Sequence, residues 1–411
     1  MASSSSLAFA LLIVLSLLHS TSSSRPLIGV TYAPPILAPT IANPHPPPPP
    51  PPDRVASIVT SLNIPAVRLP NSDPSLIRAF AYTNTTILLS IPNAFVPTLA
   101  ANRTLAQRWL YRHVLPFYPR SKISLISVGN DIFDTTPDLS PFLLPAVRNV
   151  HLALHDLGIK KIPVSTTFSF FNIITTSFPP SSAQFQEPAG SLIMKPLLQF
   201  LEDTNSSFLV NVYPYNMYRL NCEIPLGFAL FENYPFNFRD DLITGVRYTN
   251  LFDVMVDAVI SAMAVAGHEN IPVIVAETGW PSSGADASEV DATPALAEMY
   301  LKGLVAHLKS GMGSPLRREG VAEAYVYELV DIEVKGERSW GILHQNFTQK
   351  YEIEFSRACK IESVGGFRAL LRFFLIGFLM NLLCAGDNWS LWFNFCEFRS
   401  DLVKLMLRII A

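Results

Sequence analysis

A (β/α)8 barrel of the α/β class is the fold this sequence predicts, and three observations predict it. From Ile28 to Val330, short apolar or β-branched runs alternate with longer amphipathic stretches, the signature of repeated βα units around a parallel sheet. The strand-like runs number eight. No Gly-rich phosphate loop follows the first of them, as an open doubly wound sheet that binds dinucleotides would require, so a closed TIM barrel fits better.

Taken in order, the strands are expected at 28–33, 66–70, 87–92, 123–129, 162–169, 208–215, 271–276 and 324–330. Helices are expected between them. The stretch 53–62 opens on Asp53, placed to cap free amides, and 103–114 is amphipathic. The stretches 139–157 and 248–266 end at Gly158 and Gly267, suitable C-terminal stops. Seven consecutive prolines, Pro46 to Pro52, lack backbone donors and favour an extended polyproline II course. The segment 44–52 is therefore expected as a surface loop inserted in the first strand-to-helix connection.

The chain ends differ in character from this repeat. Leu7 to Leu18 is an apolar run too short to span a bilayer, followed by small polar residues from Ser20 to Ser24. Residues 1–24 read as a signal peptide, 25–360 as the barrel and 361–411 as a divergent tail. Phe373 to Ala385 is apolar, but a polar and charged stretch follows it, unlike a lipid-anchor signal, so membrane attachment is not favoured. A secreted protein, extracellular or in a cell wall, is expected. Sequons at Asn84, Asn102, Asn205, Asn346 and Asn388 suit that route.

The 30 basic and 33 acidic residues form no long run of one sign, so no field gathers phosphates and nucleic acid is not an expected partner. The four cysteines, Cys222, Cys359, Cys384 and Cys396, are too few and scattered for a disulfide framework. They also lack the paired spacing of zinc sites. Neither a metal nor an organic cofactor is implied.

In a parallel barrel, side chains at the C-terminal ends of strands converge on one mouth. Two carboxylates stand there: Asp131 after Ile123–Gly129 and Asn130, and Glu277 after Val273–Ala276. Hydrolysis of a glycosidic bond needs one carboxyl to protonate the leaving oxygen and another to attack the anomeric carbon or activate water. From spacing alone, either acid could equally hold an Arg or Lys inside the barrel.

The words around these acids are more specific. Ile28-Gly29-Val30-Thr31-Tyr32, Val67-Arg68-Leu69, Ser127-Val128-Gly129-Asn130-Asp131, Val210-Asn211-Val212-Tyr213-Pro214-Tyr215, Arg247–Asp253 and Val275-Ala276-Glu277-Thr278-Gly279-Trp280-Pro281-Ser282 resemble the plant endo-β-1,3-glucanases, glycoside hydrolase family 17. The likeness covers most of the chain and closes near Trp340-Gly341 and Tyr351. It implies a retaining enzyme that cleaves internal β-1,3 bonds of callose or a fungal wall glucan, acting as a monomer. Glu277 would be the nucleophile. The acid/base would stand at position 131, where the family has Glu and this chain has Asp. Asn130 would bond the sugar 2-hydroxyl, while Tyr32, Tyr213, Tyr215 and Trp280 would offer faces and hydroxyls to glucose rings.

A second departure follows the eighth strand, in Asp331-Ile332-Glu333-Val334-Lys335-Gly336-Glu337-Arg338. The family's Asp-Glu-Asn-x-Lys word places Ile332 where Glu is usual, while Lys335, Glu337 and Arg338 keep their partners. Lys335 and Glu337 are thus expected around bound sugar. With Asp131, this loop motivates an alternative reading, a wall glucan-binding protein with weak or lost hydrolysis.

Overall fold

A computed structural model describes residues 26–34, 49–234, 236–331 and 336–355, all within one compact unit, residues 1–356. The expected leader (1–24), Pro46 to Pro48 of the proline run, Ile332, Glu333, Lys335, Cys359, Cys384, Cys396, Asn388 and the tail (361–411) lie outside the described residues.

Eight strands close the barrel: β1 (Leu27–Thr31), β2 (Ala66–Leu69), β3 (Thr86–Ile91), β4 (Lys122–Asn130), β5 (Val164–Ser169), β6 (Phe208–Asn211), β9 (Val273–Thr278) and β10 (Glu323–Val326). Their order around it is β1-β10-β9-β6-β5-β4-β3-β2, with every pairing parallel. The remaining strands, β7 (Arg239–Asp241) and β8 (Val246–Tyr248), form an antiparallel hairpin between β6 and β9. That hairpin is not among the sequence expectations, because three-residue strands are too short to register as a period.

The barrel interior is filled by Ala66, Leu88, Leu125, Leu209, Ile274, Ala276 and Tyr325, so it is a packed core rather than a pore. Gly29 leaves room for the largest of these. A Cβ there would stand 2.7 Å from the Tyr325 ring and 2.7 Å from the Ala66 carbonyl oxygen. A second apolar layer lies between strands and helices. The helix Ser140–Asp156 buries Leu143, Val147, Val150 and Leu154, one stripe at helical spacing, each worth about 1.5–3 kcal/mol of burial. It stops where Gly158 takes a φ of +74°, the left-handed conformation that ends helices cheaply.

Four sequence expectations need correction. Asp53 caps nothing: the helix Pro52–Ser61 has Pro51 at its N-cap, and Asp53 stands in the first turn, where its charge suits the helix dipole. The sixth strand ends at Asn211 rather than 215, because Pro214 opens the helix Pro214–Leu220. The eighth ends at Val326 rather than 330. The helix expected from 248 starts at Leu251, where the Asn250 side chain accepts the Asp253 amide; Tyr248 belongs to β8. Among the described residues, no helix is long and apolar enough to cross a membrane.

Candidate active site

The two carboxylates meet at the barrel mouth through a chain of side chains. Arg68, at the end region of β2, is completely buried and bonds the Glu277 carboxylate with one guanidinium nitrogen. Its other terminal nitrogen donates to Asn130 Oδ1 at 2.8 Å. Asn130 Nδ2 in turn donates to Asp131 Oδ2 at 3.2 Å. A buried guanidinium without a partner is costly, and here the Glu277 charge meets it. Tyr213 donates its hydroxyl to the other Glu277 oxygen at 2.8 Å.

Backbone geometry fixes the acid's position. Gly129 has a φ of +78° and Asp131 a φ of +47°, so the chain turns sharply as β4 ends. Asn93 clasps that turn, accepting the Asn130 amide at 2.8 Å and donating to the Asn130 carbonyl at 2.9 Å. The Asp131 amide donates to the Thr167 carbonyl at 3.0 Å. Neighbouring β6 supplies Asn211, which pairs in register with Glu277 and donates to Asp131 Oδ2 at 2.9 Å. Oδ2 therefore has two donors, whereas the buried Oδ1 has no hydrogen-bond partner.

These surroundings give the acid its chemistry. Burial, with the Glu277 charge second, pushes the Asp131 carboxyl up to about 7, against the opposing Asn211 bond and Arg68 charge. This group therefore keeps its proton to a higher pH than an ordinary aspartate does. Because Oδ2 accepts two hydrogen bonds, Oδ1 is the atom left to carry it.

The aromatic residues divide into two sets. Tyr213 is half-buried and meets Trp340 edge to face at 5.2 Å between ring centroids, with Tyr327 completing the group at 6.2 Å from each. Tyr32, Tyr215 and Trp280 are 2%, 0% and 1% exposed, which corrects the expectation that they present faces to sugar. Trp280 packs among Tyr215, Tyr218 and Tyr300 and donates its indole N–H to the Asp291 carbonyl at 2.9 Å. Tyr215 donates to Glu289 at 2.7 Å. This cluster backs β9: Thr278, beside Glu277, shares a 2.6 Å hydrogen bond with Tyr300.

A cleft of about 300 Å³ opens beside the pair, lined by Ala285, Tyr327, Glu328, Glu337, Arg338 and Trp340. Glu337 is exposed on its wall, and Lys335 lies outside the described residues. Arg338 is anchored by a two-pronged bond to buried Glu289, 2.8 and 3.1 Å, and reaches Asn216 Oδ1 at 3.1 Å. Asp331 accepts the Gly341 amide at 2.7 Å and pairs with Lys350. Sequence reasoning assigned no role to Arg68, Asn211, Tyr327, Glu328 or Trp340. Arg68, Asn211 and Trp340 lay within the quoted words, but only the closed barrel shows which strands are neighbours. Among the described residues, no group of three or more His, Cys, Asp or Glu side chains is placed to hold a metal ion.

Comparison with known proteins agrees with this architecture. Residues 47–355 match the model of glycosyl hydrolases family 17. Glucan endo-1,3-beta-glucosidase 7 of Arabidopsis thaliana is 40% identical over 346 residues, covering 82% of this chain and 66% of that protein. Glucan endo-1,3-beta-glucosidase 2 of the same plant is 38% identical over 322 residues, covering 77% and 62%. The chain thus spans slightly less than two thirds of the length of these relatives. A solved β-1,3-glucanase and pollen allergen of Cryptomeria japonica superposes with a TM-score of 0.72 at 33% identity, covering 80% of this chain and 99% of that one. The eight-stranded parallel barrel, the paired carboxylates at its mouth and these matches converge: the chain belongs to glycosyl hydrolases family 17.

Proposed function

We propose that the protein is a retaining endo-β-1,3-glucanase in which Glu277 is the nucleophile and Asp131 the acid/base. The observation that carries this reading is the unlike pair of environments. Glu277 receives Arg68 and the Tyr213 hydroxyl, whereas the half-buried Asp131 is pushed up to about 7 and has an unpartnered Oδ1. Two carboxyls with divergent environments are what acid and nucleophile roles require. Relatives and solved neighbours named as β-1,3-glucanases support the linkage.

In the first step Glu277 attacks the anomeric carbon as the bond to the leaving oxygen breaks, and that oxygen takes the Asp131 proton. The product is an ester between Glu277 and the sugar. Esterification removes the Glu277 charge, the second cause of the raised Asp131 value, so the aspartate becomes the weaker proton holder and accepts a proton from attacking water. Water then displaces Glu277 with a second inversion, and both carboxyls return to their starting states. In this reading Asn130 serves the sugar 2-hydroxyl and Tyr213 stands beside Glu277, while Trp340 and Glu337 line the cleft.

The chain's remaining organisation follows the same reading: a leader at 1–24, the catalytic barrel over 25–360 and a tail outside it. Secretion and monomeric action on a wall glucan are part of the proposal. Asn84, Asn102, Asn205 and Asn346 are exposed, as glycan acceptors must be.

One observation favours the second reading, a glucan-binding protein with weak hydrolysis. Asp131 is a methylene shorter than Glu, about 1.5 Å, and retaining enzymes hold their carboxyls about 5–5.5 Å apart. Release of reducing ends from a linear β-1,3-glucan, with Glu277→Gln as control, separates the two. Turnover abolished by Glu277→Gln supports the hydrolase; binding without turnover supports the alternative.

A further inference from the structure

Glu328 stands two residues beyond the end of β10, and its backbone is fixed on both sides. The Tyr327 amide donates to the Thr278 carbonyl at 2.8 Å, the Glu328 amide to the Trp340 carbonyl at 3.2 Å, and the Ile342 amide to the Glu328 carbonyl at 2.9 Å. The residue is 4% exposed, yet it lines the 300 Å³ cleft with Tyr327, Trp340, Glu337, Arg338 and Ala285. No described side chain or amide hydrogen-bonds its carboxyl. The donors nearby are taken: Lys350 serves Asp331 and Ser282, and Arg338 serves Glu289 and Asn216. A buried polar group without a partner is costly unless something else supplies one.

We propose that Glu328 is a substrate-positioning residue whose carboxyl donates a hydrogen bond to a glucan hydroxyl in this cleft, on the flank of Glu277 opposite Asp131. The strand order supports the placement, since β10 adjoins β9 on the side away from β6, β5 and β4. If Asp131 protonates the leaving oxygen, the cleft at Glu328 receives sugars of the other side of the scissile bond. This inference rests on the proposed hydrolase reading and adds a group that reads the substrate.

The charge environment suits a donor. Burial, then Asp331, Glu277 and Glu337, outweigh Lys350 and push the Glu328 carboxyl up to about 8; among the described residues Arg338 is the cation on the cleft wall. A carboxyl that keeps its proton at neutral pH donates to a hydroxyl, whereas an ionised one only accepts. Glutamine keeps a donor of similar reach and cannot ionise. Alanine removes it.

The test is kcat and KM from pH 5 to 9.5 on a linear β-1,3-linked glucose hexasaccharide, for the wild type, Glu328→Gln and Glu328→Ala. In the wild type, activity needs the Asp131 proton, and ionisation of Glu328 removes a hydrogen bond worth about tenfold, so between pH 6 and 9.5 log kcat/KM should fall by about one unit more than the loss of the Asp131 proton alone would give. In Glu328→Gln the limb should fall with slope −1, with kcat/KM at pH 6 within about threefold of wild type. Glu328→Ala should raise KM about tenfold, the worth of one hydrogen bond, and leave kcat within about twofold. A Gln profile that superimposes on the wild-type limb overturns the proposal even if the alanine variant does not fold. Unchanged KM in a folded alanine variant overturns it as well. Turnover by the wild type with no response at Glu328 sinks this inference alone, whereas no turnover at any pH sinks the hydrolase reading and this inference together.

Discussion

Asp131→Asn removes the one proton the proposed reaction borrows and leaves the surrounding shape nearly intact. Its consequences divide by assay. Loss of a general acid costs about 10²–10⁴-fold in rate on an unactivated glucan. A substrate whose leaving group is a dinitrophenolate needs no proton, so its first step should slow by less than about tenfold. Stability moves the opposite way. The Asp131 carboxyl is raised from 3.8 to about 7 by burial and by Glu277, so the folded protein holds this proton after the unfolded chain has released it. The contribution is full below pH 4 and disappears as pH rises through 7, totalling about 4 kcal/mol at 1.36 kcal/mol per pH unit. An amide carries no such dependence. Urea unfolding at pH 5 and pH 8 should therefore show the variant gaining about 2–3 kcal/mol on wild type between the two conditions. A stability difference that is the same at both pH values would refute the buried-acid account, as would equal losses of rate on activated and unactivated substrates.

Other substitutions probe the parts separately. Asp131→Glu restores the longer acid and should raise kcat on glucan about tenfold or more, since a misplacement of about 1 Å can cost a hundredfold; a fall would mean that the left-handed turn at Asp131 already compensates. Tyr213→Phe deletes a bond to Glu277, the proposed nucleophile, and none to a sugar ring face, so kcat should drop about tenfold or more, the worth of a bond to a charged group, while KM stays within about twofold. Arg68→Met strands Glu277 beside a buried apolar chain, and denaturant unfolding should report a loss of about 3–5 kcal/mol.

What the sequence made legible follows from what is periodic or local. All eight barrel strands overlap their expected ranges, two of them ending four residues early, because each is an apolar run bounded by breakers, and the paired acids follow from looking at strand ends. Asp53 misled because an Asp in the first turn and an Asp at the N-cap differ by two residues in sequence while serving different partners; Pro51 and Pro52 already open that helix. Trp280 and Tyr215 misled for another reason. Proximity along the chain to Glu277 and to Tyr213 says nothing about direction, and both rings point into the aromatic layer behind the strands. Tyr213 and Tyr215, two residues apart, have opposite fates: one bonds Glu277, the other Glu289. Arg68 and Asn211, in strands, and Glu328, just past β10, are far from Asp131 in sequence and become its neighbours, or those of Glu277, only through barrel closure.

The measurement that tests the central claim most directly is trapping of the covalent intermediate. A β-1,3-linked glucobioside carrying fluorine at C2 and a good leaving group slows both steps, hydrolysis of the ester most. Peptide mass analysis after reaction should place one disaccharide on Glu277 and none on the Glu277→Gln variant. Hydrolysis of the natural glucan by a wild-type protein that never forms this adduct, or an adduct on another carboxylate, would contradict Glu277 as the nucleophile.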